Sequence, residues 1–149
     1  MYIVLMKLVV FFLIFTFSLI AHEEGRVMGS EVIEERKISM QLLNKLMNQA
    51  RKNINDNDLG SDTTDIFSQI QNILNKYPSL FPDDSFDGKT KASTDIISNR
   101  DKFNSIAKEY EDNAKLIIEL IESGDSAAVN KSFQNLYSSC KSCHSRFRN

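Results

Sequence analysis

Apolar residues recur at a spacing of three and four in four separate stretches of the chain, which is the pattern of amphipathic helices. The stretches begin near residues 30, 61, 93 and 125. Their apolar stripes are narrow, as packing between long helices requires, and no segment alternates as a β-strand would. Mostly short connections join them. The sequence therefore predicts an all-α protein built as an antiparallel four-helix bundle.

The limits of the helices follow from residues that start or stop them. Ser30 can cap the first helix, and Pro78 ends the second because proline has no N–H group to donate. The third helix is expected over residues 93–122. Gly124, two residues later, fits the position of a helix stop. Asp125 or the serine after it can cap the fourth helix.

The N-terminal residues are apolar apart from Lys7 and a few hydroxyl groups, and the apolar run ends in the small residue Ala21. This pattern predicts that residues 1–21 are a secretory signal peptide with cleavage near Ala21. An uncleaved membrane anchor is the alternative, because the segment is nearly long enough to span a bilayer. In both cases residues 22–149 are expected to form the exported bundle domain, in the periplasm.

Both cysteines of the chain belong to the segment Cys140-Lys141-Ser142-Cys143-His144, which has the C-x-x-C-H spacing of haem c attachment. On a helix, positions i, i+3 and i+4 share a face. Two thiols can therefore form thioether bonds to one porphyrin, while His144 is positioned to ligate the iron. We expect one covalently bound haem c per chain, and we expect the fourth stripe to turn Tyr137, Cys140 and His144 inward.

Other interpretations of the motif explain fewer of its residues. A structural zinc site needs four ligands, and the only other histidine is His22. A thioredoxin-like pair belongs beside a βαβ pattern, which the sequence lacks, and a plain disulfide gives His144 no role. The formal net charge of −2 gives no indication of a nucleic-acid-binding protein.

The last part of the chain resembles the cytochrome c prime family, the class II c-type cytochromes. The resemblance rests on "SGD" before the last helix, on "SCKSCH" and on the trailing "FR". It extends upstream to "LFPDDSF" and "IISNRDKF", although the family often has Trp where Ile97 stands. The resemblance implies a four-helix bundle with haem c attached near the C-terminal end of the fourth helix.

The resemblance also implies that Met40 faces the distal side of the haem. Some family members leave the sixth iron position empty behind an apolar side chain and bind nitric oxide or carbon monoxide. Others fill it with methionine and act as low-spin electron carriers. Met40 is a thioether that can ligate haem iron, and we expect it to be the sixth ligand. The alternatives are that Met40 only blocks the site, or that it fills the core as Met47 is expected to do.

Three further residues are candidates for contact with the haem. Arg36 interrupts the apolar stripe of the first helix, where a buried charge needs a partner, and a haem propionate can pair with a guanidinium. The alternative is an arginine that reaches water at the bundle edge. By resemblance, Arg148 lies beside the proximal imidazole; the alternative is an ordinary cation at a helix end. Phe147 is expected to pack against the haem or the core.

Two functions remain open, an electron carrier with redox partner proteins and a gas-binding haem protein. An enzyme such as a peroxidase lacks a candidate distal acid or base, since the exported helices contain no second histidine. Lys141 and Arg146 are expected to face solvent, where they could form part of a positive rim for a redox partner. The resemblance further implies a homodimer through the first two helices.

Overall fold

The structure is a computed structural model that describes the backbone from Tyr2 onward and the side chains of residues 29–149. Its elements follow in the order α1 (Tyr2–Asn55), α2 (Ser61–Lys76), a 3-10 helix (Tyr77–Leu80), α3 (Asp95–Ser98), α4 (Arg100–Glu122) and α5 (Ser126–Phe147). Among the long helices, α2 packs against α1 and α4, and α5 packs against α4 and α1. The predicted all-α four-helix bundle is confirmed.

The predicted signal peptide, residues 1–21, lies outside the residues whose side chains the structure describes, and so do His22 and Met28. Cleavage near Ala21 and the alternative membrane anchor therefore stay predictions. Within residues 29–149, no helix is both long enough and apolar enough to cross a membrane.

The helix limits agree with the sequence except at two places. α1 does not begin at Ser30 but continues through it, because no proline precedes Pro78 and every backbone N–H can donate along the helix. The predicted third helix is divided at Asn99, whose backbone leaves the helical region with φ −123° and ψ 36°. The side-chain amide of Asn99 donates to the Asp95 carbonyl at 2.9 Å, and such local bonds compete with helix continuation.

The turn between α4 and α5 contains the stop and the cap that the sequence predicts. Gly124 has a positive φ of 76°, a left-handed conformation that glycine adopts without steric cost and that commonly ends helices. The Asp125 carboxylate accepts a hydrogen bond from the Ala128 amide at 3.0 Å, which caps the first turn of α5. Both predictions are confirmed, and the turn fixes the direction in which α5 leaves α4.

The core lies between α2, α4 and α5, and one face of α1 closes it. The side chains with 0% exposure include Phe67 and Ile70 of α2, Ala114 and Ile117 of α4, and Val129 of α5. From α1 the core receives Leu43, Leu46, Met47, Ala50 and Ile54. Because each large apolar side chain that is buried stabilises by about 1.5–3 kcal/mol, this core holds α5 firmly against α4. Met47 is therefore a core residue, as expected.

The segment before α3 pairs with the residues that follow α5. Two hydrogen bonds join the two segments: the Ser93 amide donates to Phe147 O and the Asn149 amide to Lys91 O, each at 2.9 Å, and together they form the antiparallel bridge between Ala92 and Arg148. We call residues 91–93 and 147–149 the C-terminal clasp. The clasp holds the end of α5, where the C-x-x-C-H motif lies, against the start of α3.

Candidate haem site

The C-x-x-C-H motif occupies the last turns of α5. Cys140 and Cys143 are half-buried free thiols, and Cys143 packs against the core. The Cys140 thiol donates a hydrogen bond to the Leu136 carbonyl with a sulfur–oxygen distance of 3.7 Å. The two thiols therefore lie at the boundary between the core and the surface, where a bulky group could be joined to both.

The electrostatics of the two thiols argue against a thioredoxin-like pair. Redox-active C-x-x-C pairs have a lowered thiol pKa, because the thiolate is the nucleophile. Here burial raises the pKa of Cys140 and of Cys143, and Cys140 raises the pKa of Cys143 further. Both side chains are therefore neutral thiols near pH 7. Within residues 29–149, no group of three His, Cys, Asp or Glu side chains could hold a metal ion.

The predicted inward orientation of Tyr137 and His144 is wrong, because both residues are exposed. The buried stripe of α5 runs through Val129, Phe133, Leu136 and Phe147. At about 100° per residue, Tyr137 and His144 lie beside that stripe rather than on it. The imidazole thus stands at the edge of the bundle, next to the half-buried thiols.

The environment of His144 favours the neutral imidazole. Atoms packed around the ring desolvate it and lower its pKa, and the positive charge of Arg148, one turn later, lowers the pKa further. Neutral imidazole is the form that ligates metals. His144 therefore has the protonation state that an axial iron ligand requires. Arg148 itself is exposed, and its role at a haem site stays a prediction.

Arg36 is buried, with 4% of its surface exposed. Its Nη2 donates to the Ser85 carbonyl, and the guanidinium lies 4.6 Å from the centre of the Phe81 ring and 5.7 Å from that of Phe86. The arginine does not reach water at the bundle edge, so that alternative is wrong. Desolvation by burial lowers the pKa of Arg36, which measures how unfavourable this position is for a cation.

The remaining donors of Arg36 indicate what it would bind. Its Nε and Nη1 are buried, and neither has a hydrogen-bond partner among the described residues. A buried unpaired donor costs about 1–3 kcal/mol, and more when it belongs to a charged group. An anion with two oxygens, such as a haem propionate, would satisfy both donors. The residues present at this position therefore fit the group that the motif on α5 predicts.

A series of aromatic contacts connects the Arg36 position with the end of α5. The ring of Phe81 lies 4.8 Å from that of Phe103, and Phe103 lies 5.3 Å from Phe147, both in edge-on geometry. Phe147 is buried in the core, so its predicted packing against the core is confirmed. Arg36 and the C-terminal end of α5, after the motif, therefore border one aromatic cluster.

Tyr77 lies among the same groups, although the sequence only indicated an apolar-stripe position for it. Its ring centre is 5.1 Å from that of Phe81. Burial raises the pKa of Tyr77 to about 12, with a smaller contribution from Cys143 in the same direction, while Arg36 and Arg148 act to lower it. The pKa of the Tyr77 phenol thus depends on a residue of α1 and on residues before and after His144 in the sequence. No sequence signal distinguishes this tyrosine from an ordinary core aromatic residue.

Met40 is half-buried and packs against the core. It follows Arg36 by four residues, so the two side chains share one face of α1. The ring contacts described above include neither Met40 nor His144. Arg36, Cys143 and Arg148 are therefore all close enough to Tyr77 to affect its pKa, and Met40 lies on the same face of α1 as Arg36.

Comparison with known proteins identifies relatives of the whole bundle. The family model described as Cytochrome C' matches residues 31–148. A cytochrome c prime of Pararhodospirillum photometricum is 32% identical over 80 residues, which are 53% of this chain and 64% of that protein. The chain thus spans less than two thirds of that relative.

Solved structures have the same fold. A cytochrome c prime with an unusual ligand-controlled dimer dissociation has a TM-score of 0.69 and 23% identity, over 80% of this chain and 95% of that chain. A nitric oxide complex of a cytochrome c prime variant from Alcaligenes xylosoxidans has a TM-score of 0.72 and 16% identity, over 81% and 96%. From the match to residues 31–148 and from the C-x-x-C-H motif, the chain belongs to the cytochrome c prime family of c-type haem proteins.

Proposed function

We propose that the chain is an exported, periplasmic electron carrier that holds one haem c through thioether bonds to Cys140 and Cys143. His144 is the proximal ligand and Met40 the sixth ligand. The observation that carries this proposal is the common face of Arg36 and Met40 on α1, because Arg36 borders the aromatic cluster that ends at Phe147. A group bound to the motif and paired with Arg36 would then lie against Met40.

The residues around the group have separate roles in this proposal. The haem supplies a metal centre that gains and loses one electron. His144 and Met40 would hold the iron in both oxidation states, so little rearrangement would accompany the transfer. Arg36 pairs with a propionate, and Phe147 keeps water from the buried side. Arg148, beside His144, acts on the potential through its charge.

The alternative function is the reversible binding of nitric oxide or carbon monoxide on a five-coordinate iron. The solved structure of the variant from Alcaligenes xylosoxidans is a complex with nitric oxide, and this supports the alternative. In that case the half-buried Met40 blocks the distal side without binding, and the gas displaces its side chain. The two functions differ in one contact, that between Met40 sulfur and iron.

An optical spectrum of the reduced protein before and after addition of carbon monoxide separates the two functions. We expect a low-spin spectrum that the gas leaves unchanged, because Met40 already fills the sixth position. Met40→Ala should convert it to a high-spin spectrum that shifts on addition of the gas. Met47→Ala is the matched control, since Met47 lies two turns further along α1 and is buried in the core. A wild-type protein that binds the gas at once would establish the alternative.

A homodimer through α1 and α2 is also part of the proposal. Ile38 and Leu42 of α1 are 56% and 42% exposed, and Leu42 lines a shallow groove between the two helices together with Lys45, Asp62 and Ile66. Apolar and oppositely charged residues on one face suit a self-complementary contact. Sedimentation velocity should give twice the monomer mass for the wild type and the monomer mass for Leu42→Glu. A monomeric wild type at high concentration would contradict this part of the proposal.

A further inference from the structure

The charges of the chain are unevenly distributed between α5 and the rest of the molecule. The whole chain has 18 Lys and Arg against 20 Asp and Glu. The segment from residue 126 to residue 149 contains no Asp or Glu and has four cations, Lys131, Lys141, Arg146 and Arg148. The helix with the C-x-x-C-H motif is therefore positive in an otherwise acidic protein, so its field differs in sign from the net charge.

Two of these cations lie on either side of the motif. Lys141 and Arg146 are exposed, and at about 100° per residue they point about 140° apart around the axis of α5. The half-buried stripe with Cys143 and the buried Phe147 passes through the wider gap between them. A group attached to the motif would therefore have positive charge on both of its sides.

The C-terminal clasp brings in one further cation from the loop before α3. The Lys91 carbonyl accepts a hydrogen bond from the Asn149 amide at 2.9 Å, which fixes Lys91 beside the residues that follow α5. Four exposed cations therefore lie on or beside the last turns of α5, and we call them the cationic rim: Lys91, Lys141, Arg146 and Arg148.

No member of the cationic rim forms an ion pair within the part of the chain that the structure describes. By contrast, Arg100 pairs with Asp83 at 2.7 Å, and Lys108 pairs with Asp112 of the same helix. Unpaired cations of one sign repel each other and attract an acidic surface, which raises the rate of association with it. The rim has this property at the position where the proposed haem edge would face solvent.

We propose that the cationic rim docks an acidic electron-transfer protein, one that presents Asp and Glu around its own redox centre. This inference rests on the proposed electron-carrier function. In the docked pair, one electron leaves the reduced centre of the partner and reduces ferric haem to ferrous haem, and no covalent bond forms or breaks. The charge of the rim sets the orientation of the partner, because opposite charges must meet around the haem edge.

Reduction by two flavin semiquinones of different charge tests the sign of the field at the haem edge. The probes are flavin mononucleotide, which has a phosphate, and neutral lumiflavin. The rate with the flavin mononucleotide probe should fall by about tenfold between low and high salt, because the Debye length shrinks from about 30 Å at 0.01 M to about 3 Å at 1 M. The lumiflavin rate should not change with salt.

Two charge-matched variants locate the effect. Lys141→Glu/Arg146→Glu removes the net positive charge around the motif, so it should largely abolish the salt dependence with flavin mononucleotide and leave the lumiflavin rate unchanged. Lys131→Glu/Lys115→Glu changes the net charge by the same amount at exposed positions away from the motif, and it should retain most of the wild-type salt dependence. Equal effects of the two variants would overturn the proposal, since only the net charge would then matter.

A binding measurement tests the rim without any redox step. Calorimetric titration of the haem-loaded protein with poly-L-glutamate should give binding that the rim variant loses and the control variant keeps. The same titration is made with vesicles of phosphatidylcholine and phosphatidylglycerol. If the rim-dependent binding occurs with these vesicles and not with poly-L-glutamate, the rim binds a lipid surface and the docking proposal is overturned. Failure of the electron-carrier function is recognised separately, by a spectrum that responds to carbon monoxide. Absence of any binding to the polyanion would overturn the docking proposal alone.

Discussion

Cys140→Ser/Cys143→Ser is expected to abolish covalent haem attachment completely. A serine hydroxyl cannot form a thioether with a porphyrin vinyl group, and the chain has no other cysteine. Acidified organic solvent should extract all haem from the double variant and none from the wild type. Each single variant should keep one thioether bond, which shifts the alkaline pyridine spectrum toward that of a haem with one remaining vinyl group.

Two control variants make this result specific. Ser142→Ala changes an exposed residue between the two cysteines and should keep the haem attached. His144→Ala should keep the thioether bonds as well but lose the low-spin spectrum, because only the axial ligand is removed. Haem that the solvent extracts from the wild-type protein would refute the assignment of both cysteines.

Arg36→Met is expected to change stability in opposite directions with and without haem. In the haem-loaded protein the substitution leaves a propionate without its buried partner, which costs about 3–5 kcal/mol. In the haem-free Cys140→Ser/Cys143→Ser protein it removes a buried cation with two unpaired donors. The loss of the hydrogen bond to Ser85 offsets that gain by about 1 kcal/mol. We therefore expect a small stabilisation of the haem-free protein.

Urea unfolding of both forms measures this change of sign, and Arg51→Met is the matched control. Arg51 is also on α1, with a buried Nη2 that has no partner among the described residues. Like Arg36 it stacks on an aromatic ring, that of Tyr137 at 4.2 Å, but its side chain is only half-buried, so its charge stays partly hydrated. Its replacement should destabilise both forms alike. The potential of the Arg36→Met protein should also decrease, since a positive charge near the haem favours the reduced state. The same destabilisation by Arg36→Met with and without haem would contradict its pairing with a propionate.

The sequence predicted those features that depend on neighbours along one helix. The apolar periodicity predicted the long helices, and Gly124 and Asp125 predicted the turn before α5, because caps and stops act within a few residues. The division of the third helix at Asn99 was missed, since the competing bond to the Asp95 carbonyl depends on a side-chain rotamer that spacing does not encode. The orientation of His144 was missed because the expected inward face included Tyr137 and His144, whereas the buried stripe of α5 runs through Phe133, Leu136 and Phe147.

The sequence also predicted that Arg36 is buried but not what surrounds it. Its position on the apolar stripe of α1 suggested burial beside a haem propionate, but an arginine that reaches water at the bundle edge stayed open until the structure showed the side chain 4% exposed. The contacts with Ser85 and Phe81 come from the loop after the 3-10 helix, and the path of a loop depends on tertiary packing rather than on local periodicity. The same reason explains why Tyr77 gave no functional signal.

The C-terminal clasp has a consequence for the motion of the motif. The last turn of a helix normally frays, because its carbonyl groups have no partners within the helix. Here the Phe147 carbonyl accepts the Ser93 amide, and the Asn149 amide donates to Lys91. The turn that includes His144 is thereby held at its C-terminal end, by the Phe147 side chain in the core and by the clasp at the surface. Rapid opening of this turn would swing the imidazole away from any metal it ligates, and the clasp gives that opening an energetic cost.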